Sequence, residues 1–319
     1  MLDLKVRRHE IQANGLVMHV AEAGEGHPVV LCHGFPESWY SWRHQLVALA
    51  AAGFRAIAPD MRGYGGTEAP ADVSAYSIFH LVGDMIGLLD ALGIERASIV
   101  GHDWGAPVAW NAAMMRSDRF DAVAGLSVPF APRGPVSGLE AARRRGWHSF
   151  YQLYFQTPGK AEAEFERDVE ATMRRSMWTL SAGPAQIWSG SIGEEGALDA
   201  LSEPAGPMNW LTEADLAFYA AAFRARGFRG PLNWYRNMDR NWALTAAFQG
   251  AVVRQPSCFL TGDRDPYLTV SKPIVDALPK ILPDLRGCTI IPGAGHWLSQ
   301  EAPEEVNRIL IEFLTSVRS

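Results

Sequence analysis

The sequence predicts an α/β fold, a mostly parallel sheet covered by helices and interrupted by one helical insertion. Three observations predict it. Short branched apolar runs recur at Pro28–Cys32, Phe54–Ala58 and Ser98–Val100, continuous rather than alternating, as strands buried on both faces require. Between the last two, Ile78, Leu81, Val82, Met85, Leu88, Leu89 and Leu92 fall at helical spacing and stop at Gly93. The alternation then breaks off at Pro129, Pro132 and Pro135 and resumes only after about residue 245.

Each element follows in order. Asn14-Gly15 is a turn signal before Leu16–Val20 and predicts an early antiparallel hairpin. After the three strands and their helix comes another buried-strand segment, Ala122–Val128. The stretch from 130 to 245 has a different composition, with Arg143-Arg144-Arg145, a helical pattern over Ala161–Trp178, a Gly/Pro loop at Ser202–Pro207 and the aromatics Trp210, Tyr219, Phe223, Trp234 and Tyr235. It reads as a mostly helical insertion. Strands at Cys258–Thr261 and Thr289–Ile291 and an amphipathic helix at Pro303–Ser316 complete the pattern. The expected division is therefore a core of residues 1–129 and 246–319 with a helical unit of 130–245 between its halves.

The composition bounds the function. At 319 residues, 48% hydrophobic and 20% charged, the chain is long enough for a sizeable core and an enclosed pocket. A net charge of −6 supplies no general basic field for nucleic acid or acidic membranes. Cys32, Cys258 and Cys288 are odd in number and far apart, and so read as reduced thiols. Met1–Arg8 lacks the apolar segment of a secretion signal. No apolar run reaches the roughly 18 residues that span a bilayer. A soluble, cytoplasmic protein is expected.

The chemistry concentrates in Ile99-Val100-Gly101-His102-Asp103-Trp104-Gly105, which follows a strand and opens a helix over about Ala106–Met115. This is the outline of a nucleophile elbow with Asp103 in the nucleophile position. Small residues suit a turn where backbone and helix approach closely, and the positive end of the new helix favours an ionised carboxylate by up to about 1 kcal/mol. Alone, it can equally be a plain strand-to-helix turn. Two further pieces stand at strand ends. Cys32-His33-Gly34-Phe35-Pro36 lies where such folds draw one oxyanion-hole donor, here the Phe35 N–H, paired with the Trp104 N–H. Asp265, with Asp263 as its rival, follows one late strand, and His296 follows the next. Nucleophile, acid, histidine is the chain order of the α/β-hydrolase fold.

A carboxylate can displace at saturated carbon and form an ester, which a neutral histidine then hydrolyses by activating water. Asp265 would fix the imidazole tautomer, and the two amides would hold the oxyanion. Serine in this position would imply acyl transfer; aspartate implies hydrolysis of strained or activated C–O or C–halogen bonds.

Through these motifs the chain resembles the epoxide hydrolases of the α/β-hydrolase fold, especially the catalytic domain of the soluble epoxide hydrolases. The likeness runs from His33-Gly34-Phe35-Pro36-Glu37-Ser38-Trp39-Tyr40-Ser41-Trp42-Arg43 through Gly101–Gly105 to Gly295-His296-Trp297. Within the insertion, Tyr151-Gln152-Leu153-Tyr154-Phe155-Gln156 and Gly230-Pro231-Leu232-Asn233-Trp234-Tyr235-Arg236-Asn237-Met238 look like the family's two cap segments. The resemblance implies that 130–245 is a cap, that Tyr151 and Tyr235 protonate the ring oxygen, and that the acid is the second Asp of Asp263-x-Asp265-Pro266. It implies a small apolar epoxide and water as partners and no cofactor or metal. The phosphatase domain of vertebrate members is not expected here, and Ala106 stands where the family elbow carries a further glycine.

Other readings bear on the same residues. His33 and His102 fit structural hydrogen bonding, and His148 a packing or surface role. Tyr154 shares a helix face with Tyr151 and is its rival. Asp60–Gly66 is glycine-rich but lacks P-loop spacing and reads as a structural loop. A haloalkane or haloacid dehalogenase with the same triad is the nearest enzymatic alternative. Its halide-holding side chains are not evident, since Phe35 and Trp104 occupy the usual positions. A non-catalytic ligand-binding α/β-hydrolase is the alternative of another class.

Overall fold

Branched apolar runs with no polar face form strands that need cover on both sides, and the chain supplies it. The computed structural model describes residues 6–318. Residues 1–5, part of the segment read for a leader, lie outside them. Among the described residues eight strands form one sheet: β1 (Arg7–Ala13), β2 (Leu16–Ala23), β3 (His27–Cys32), β4 (Phe54–Pro59), β5 (Ala97–His102), β6 (Phe120–Leu126), β7 (Ser257–Gly262) and β8 (Leu285–Ile291). Their spatial order is β1-β2-β4-β3-β5-β6-β7-β8. The β1/β2 and β2/β4 pairings are antiparallel and the other five parallel. The hairpin turns at Asn14 and Gly15, both at positive φ (50° and 75°), which a two-residue turn matching the strand twist demands.

Helices in chain order are α1 (Arg43–Ala51), α2 (Ile78–Ala91), α3 (Gly105–Met115), α4 (Gly138–Arg144), α5 (Tyr151–Tyr154), α6 (Lys160–Arg167), α7 (Val169–Thr179), α8 (Glu213–Arg226), α9 (Arg229–Arg236), α10 (Met238–Leu244), α11 (Pro266–Ile281), α12 (Leu298–Glu301) and α13 (Pro303–Ser316). Side chains alternate between two apolar layers. Val30, Ile57 and Ile99 pack toward α2 and α3, whereas Val29, Leu31, Ala56 and Val100 pack toward α1 and α13. Every residue of β5 and β7 is buried. The strand at the edge, β8, departs from the expected continuous burial. It alternates, as a strand paired on one side only does, and Ile290 is exposed.

All of α4–α10 lie between β6 and β7. The helix expected over Ala161–Trp178 is two helices. Asp168 is extended (φ −147°, ψ 91°) and its carboxylate accepts the Ala171 N–H at 2.9 Å, capping α7. That capping geometry interrupts a continuous apolar period. Helices α1 and α11 were not legible in the periodicity, and α11 carries Pro273 and Pro279 in its interior. The Asp60–Gly66 loop is structural: Asp60 accepts the Trp39 and Gly66 N–H groups, each at 2.9 Å.

Candidate active site

The turn after β5 forces Asp103 into a left-handed backbone (φ 48°), a conformation a non-glycine residue adopts only where its surroundings hold it. Tight packing supplies the hold. A Cβ on Gly101 would lie 2.1 Å from the Gly105 carbonyl oxygen, and one on Gly105 would lie 2.0 Å from that of Cys32. Ala106 is accommodated in full burial. The Asp103 side chain is thereby presented at the head of α3 to the β3 loop, where the Phe35 N–H donates to Oδ1 at 2.7 Å. The Trp104 N–H makes no such bond to Asp103 among the described residues.

On the other side, His296 Nε2 stands 3.5 Å from Asp103 Oδ2. Its Nδ1 faces Asp265 Oδ1 at 3.1 Å and Ser127 Oγ at 3.0 Å. Asp265 is fully buried, and its Oδ1 also accepts the Tyr267 N–H at 2.9 Å, capping α11. Asp263 is exposed and accepts the Gly293 N–H instead. Of the two rivals, Asp265 is therefore the acid that meets the histidine. Burial by itself would raise the Asp265 carboxyl, but the His296 charge and hydrogen bonds from His296 and Ser127 outweigh it and hold it below the usual range. For His296, burial opposes the charge, yet Asp265 and Asp103 together lift the imidazole well above its ordinary value.

A cavity over Asp103 and His296 is walled by Phe35, Phe155, Leu180, Trp188 and Ile192, and both Tyr151 and Tyr235 line it. Tyr151 comes from α5, anchored by its N–H to the Gly190 carbonyl at 2.9 Å. Tyr235 comes from α9, which is held down by the Trp234 indole donating to the Arg62 carbonyl at 3.0 Å. The two rings sit 6.0 Å apart at 75°. Burial, and secondarily the Asp103 charge, raises both phenols, so both are neutral donors at neutral pH. Tyr154 turns away and donates to Glu164 under the Lys160 ammonium. His148 is exposed and does not line the cavity.

Two supporting clusters escaped the sequence reading. Glu37 Oε2 accepts the Gly34 N–H at 2.7 Å and faces His102 Nδ1 at 2.8 Å, while His102 Nε2 donates to the His296 carbonyl at 2.8 Å. This chain ties the Gly34–Phe35 loop to the histidine and gives His102 the structural role expected of it. His33 also has one: its Nε2 accepts the Met61 N–H at 2.9 Å, and its Nδ1 donates to the Gly34 carbonyl at 3.0 Å. The second cluster centres on Glu301, whose carboxylate accepts N–H groups from Trp297 (3.0 Å), Gly295 (3.2 Å) and Ala182 (2.8 Å). It grips both neighbours of His296 and joins them to the segment after α7. Glu37 lies in the His33–Arg43 motif but its role there is set by distant partners, and Glu301 and Ser127 carry no local motif at all.

Comparison with known proteins gives the family. Residues 27–303 match the family model for the alpha/beta hydrolase fold. The chain is 48% identical over 313 residues to epoxide hydrolase A of Mycobacterium tuberculosis, covering 96% of this chain and 97% of that protein. The crystal structure of epoxide hydrolase A from Mycobacterium thermoresistibile superposes with a TM-score of 0.92 at 46% identity, covering 98% of both chains. An epoxide hydrolase from an endophytic Streptomyces gives 0.94 at 45%, covering 98% of this chain and 96% of that one.

Proposed function

The chain belongs to the α/β-hydrolase family and is an epoxide hydrolase, and from that premise we propose that it opens the ring through an ester on Asp103. Oδ2 attacks a ring carbon as the C–O bond on its far side breaks. Tyr151 and Tyr235 donate to the departing ring oxygen, which is far more basic as an alkoxide than a phenolate. The observation that carries this reading is the lining of one cavity by two neutral phenols and the Asp103 carboxylate.

Ester formation removes the Asp103 charge. With it goes one of the two carboxylates that raise His296, so the imidazole holds its proton less tightly at the stage that needs a neutral base. The proton it gives up balances the one taken by the ring oxygen. His296 Nε2 then draws a proton from water attacking the Asp103 carboxyl carbon, while Asp265 and Ser127 hold Nδ1. The Phe35 and Trp104 N–H groups receive the oxyanion; on collapse the acyl C–O bond breaks, the departing oxygen takes the proton left on the water-derived hydroxyl, and the diol leaves with the Asp103 carboxylate restored beside protonated His296.

The segment 130–245 acts as the cap over a core of 1–129 and 246–319. Support comes from α5 and α9, each of which brings one tyrosine to the cavity. The cavity walls favour a small apolar epoxide. Free thiols at Cys32, Cys258 and Cys288 support a reducing, cytoplasmic setting. No described helix is long and apolar enough to cross a membrane.

Acid-quenching the first turnover of styrene oxide and digesting the protein tests the assignment. The Asp103 peptide should carry the mass of the substrate; an adduct elsewhere, or none, overturns it.

A further inference from the structure

A second cavity lies beside the first, and Tyr267 is the one residue that lines both. The cavity over Asp103 has a volume of about 90 Å³, the second about 290 Å³. Met114, Phe130, Trp242 and Ile274 give the second cavity apolar walls. Its polar lining is already engaged: the Asn111 amide donates to the Pro107 carbonyl at 2.8 Å, and Arg133 donates to the Trp242 carbonyl at 3.0 Å and to the Gln249 side chain at 2.6 Å. What remains for a ligand is mostly apolar surface, with the Tyr267 hydroxyl at its edge.

Tyr267 is the second residue of α11. Its backbone is pinned by the Asp265 carboxylate, yet its half-buried side chain makes no hydrogen bond to another described residue. The ring therefore stands at the border of both spaces, held by packing alone. An epoxide held between the phenols and Asp103 projects substituents from its two carbons in diverging directions, and a cavity as small as the first holds one bulky arm.

We propose that Tyr267 is a partition that sets substrate shape, and that the second cavity is a subsite for the other arm of an epoxide substituted on both carbons. This rests on the reading that Asp103 opens epoxides. With the ring in place, bulk on one carbon is accepted and bulk on both is disfavoured.

The test compares kcat/KM for styrene oxide, with one aryl arm, and trans-stilbene oxide, with two. Tyr267→Ala should raise the stilbene-to-styrene ratio about tenfold or more, the scale on which apolar pockets discriminate. Tyr267→Phe keeps the partition and should leave the ratio unchanged. Ile274→Trp fills the second cavity and, added to Tyr267→Ala, should cancel the gain. Tyr267→Leu should shift the ratio in the same direction as Ala, with less disturbance of α11. A wild type that opens neither epoxide overturns the reading on which the partition rests. A wild type that opens styrene oxide, with truncated variants whose ratio stays put or whose gain survives Ile274→Trp, overturns the partition alone.

Discussion

The Phe35 N–H donates to Asp103 Oδ1 at 2.7 Å, leaving Oδ2 as the oxygen that faces His296. The two carboxylate oxygens are therefore inequivalent before substrate arrives. On the proposed route Oδ1 takes the place of the later oxyanion, and Oδ2 forms the ester bond.

That asymmetry has an isotopic consequence. In a single turnover in heavy-oxygen water, the new diol oxygen comes from Asp103 and is unlabelled, while the label is retained in the protein. Labelled diol in the first turnover would falsify the ester route, and mass spectrometry of both products reads the outcome.

If the proposed roles hold, His296→Gln removes the base but not the nucleophile. Alkylation should persist while ester hydrolysis slows by about 10²–10⁴, the usual contribution of a positioned base. Intact-protein mass should show the adduct accumulating, and equal slowing of both steps would count against the division of roles.

On the proposed route the phenols act on ring opening alone. Tyr151→Phe or Tyr235→Phe should slow alkylation about 10²-fold, comparable to losing one donor at a developing oxyanion. The double variant should open no ring, as read by the burst of adduct in rapid-quench experiments. Retained opening would move the proton-donor role to another group.

Glu37 predicts an acid limb of stability. Burial would raise its carboxyl, but the His102 charge and hydrogen bond win and lower it to about 2 from 4.5. A depressed folded-state value stabilises above the unfolded value and is lost as pH falls toward the folded one. Wild type should lose on the order of 3 kcal/mol across that window. Glu37→Gln should flatten this part of the curve in urea unfolding at stepped pH, and an unchanged slope would assign the acid limb to other groups.

Glu301 is pushed by burial up to about 7, against three N–H donors that favour its charged form. Below that pH its neutral acid has one good acceptor oxygen; above it, both oxygens grip the His296 turn. Glu301→Gln should lower kcat about tenfold, equivalent to about 1.4 kcal/mol, with KM little changed and the deficit widening above neutrality. A deficit independent of pH would reduce Glu301 to packing.

Much of this was legible because it is local. Parallel strands announce themselves as unbroken apolar runs, and the elbow at Asp103 needs small neighbours two residues away on either side. Resemblance in the insertion then singled out Tyr151 and Tyr235. Periodicity did not reveal α11, whose interior prolines contradict helix propensity, nor the break at Asp168, where one side-chain cap outweighs a continuing pattern.

By itself, the sequence determined the class of fold, the chain order of Asp103, Asp265 and His296, and the chemistry an aspartate nucleophile can perform. Tertiary structure decided which of Asp263 and Asp265 faces the histidine and which of Tyr151 and Tyr154 faces the cavity. It also recruited Ser127, Glu37, Glu301 and Tyr267. The reason is geometric: a hydrogen bond such as Ser127 to His296 joins residues 169 positions apart, and sequence periodicity records only which face a residue occupies, not what the fold sets opposite it.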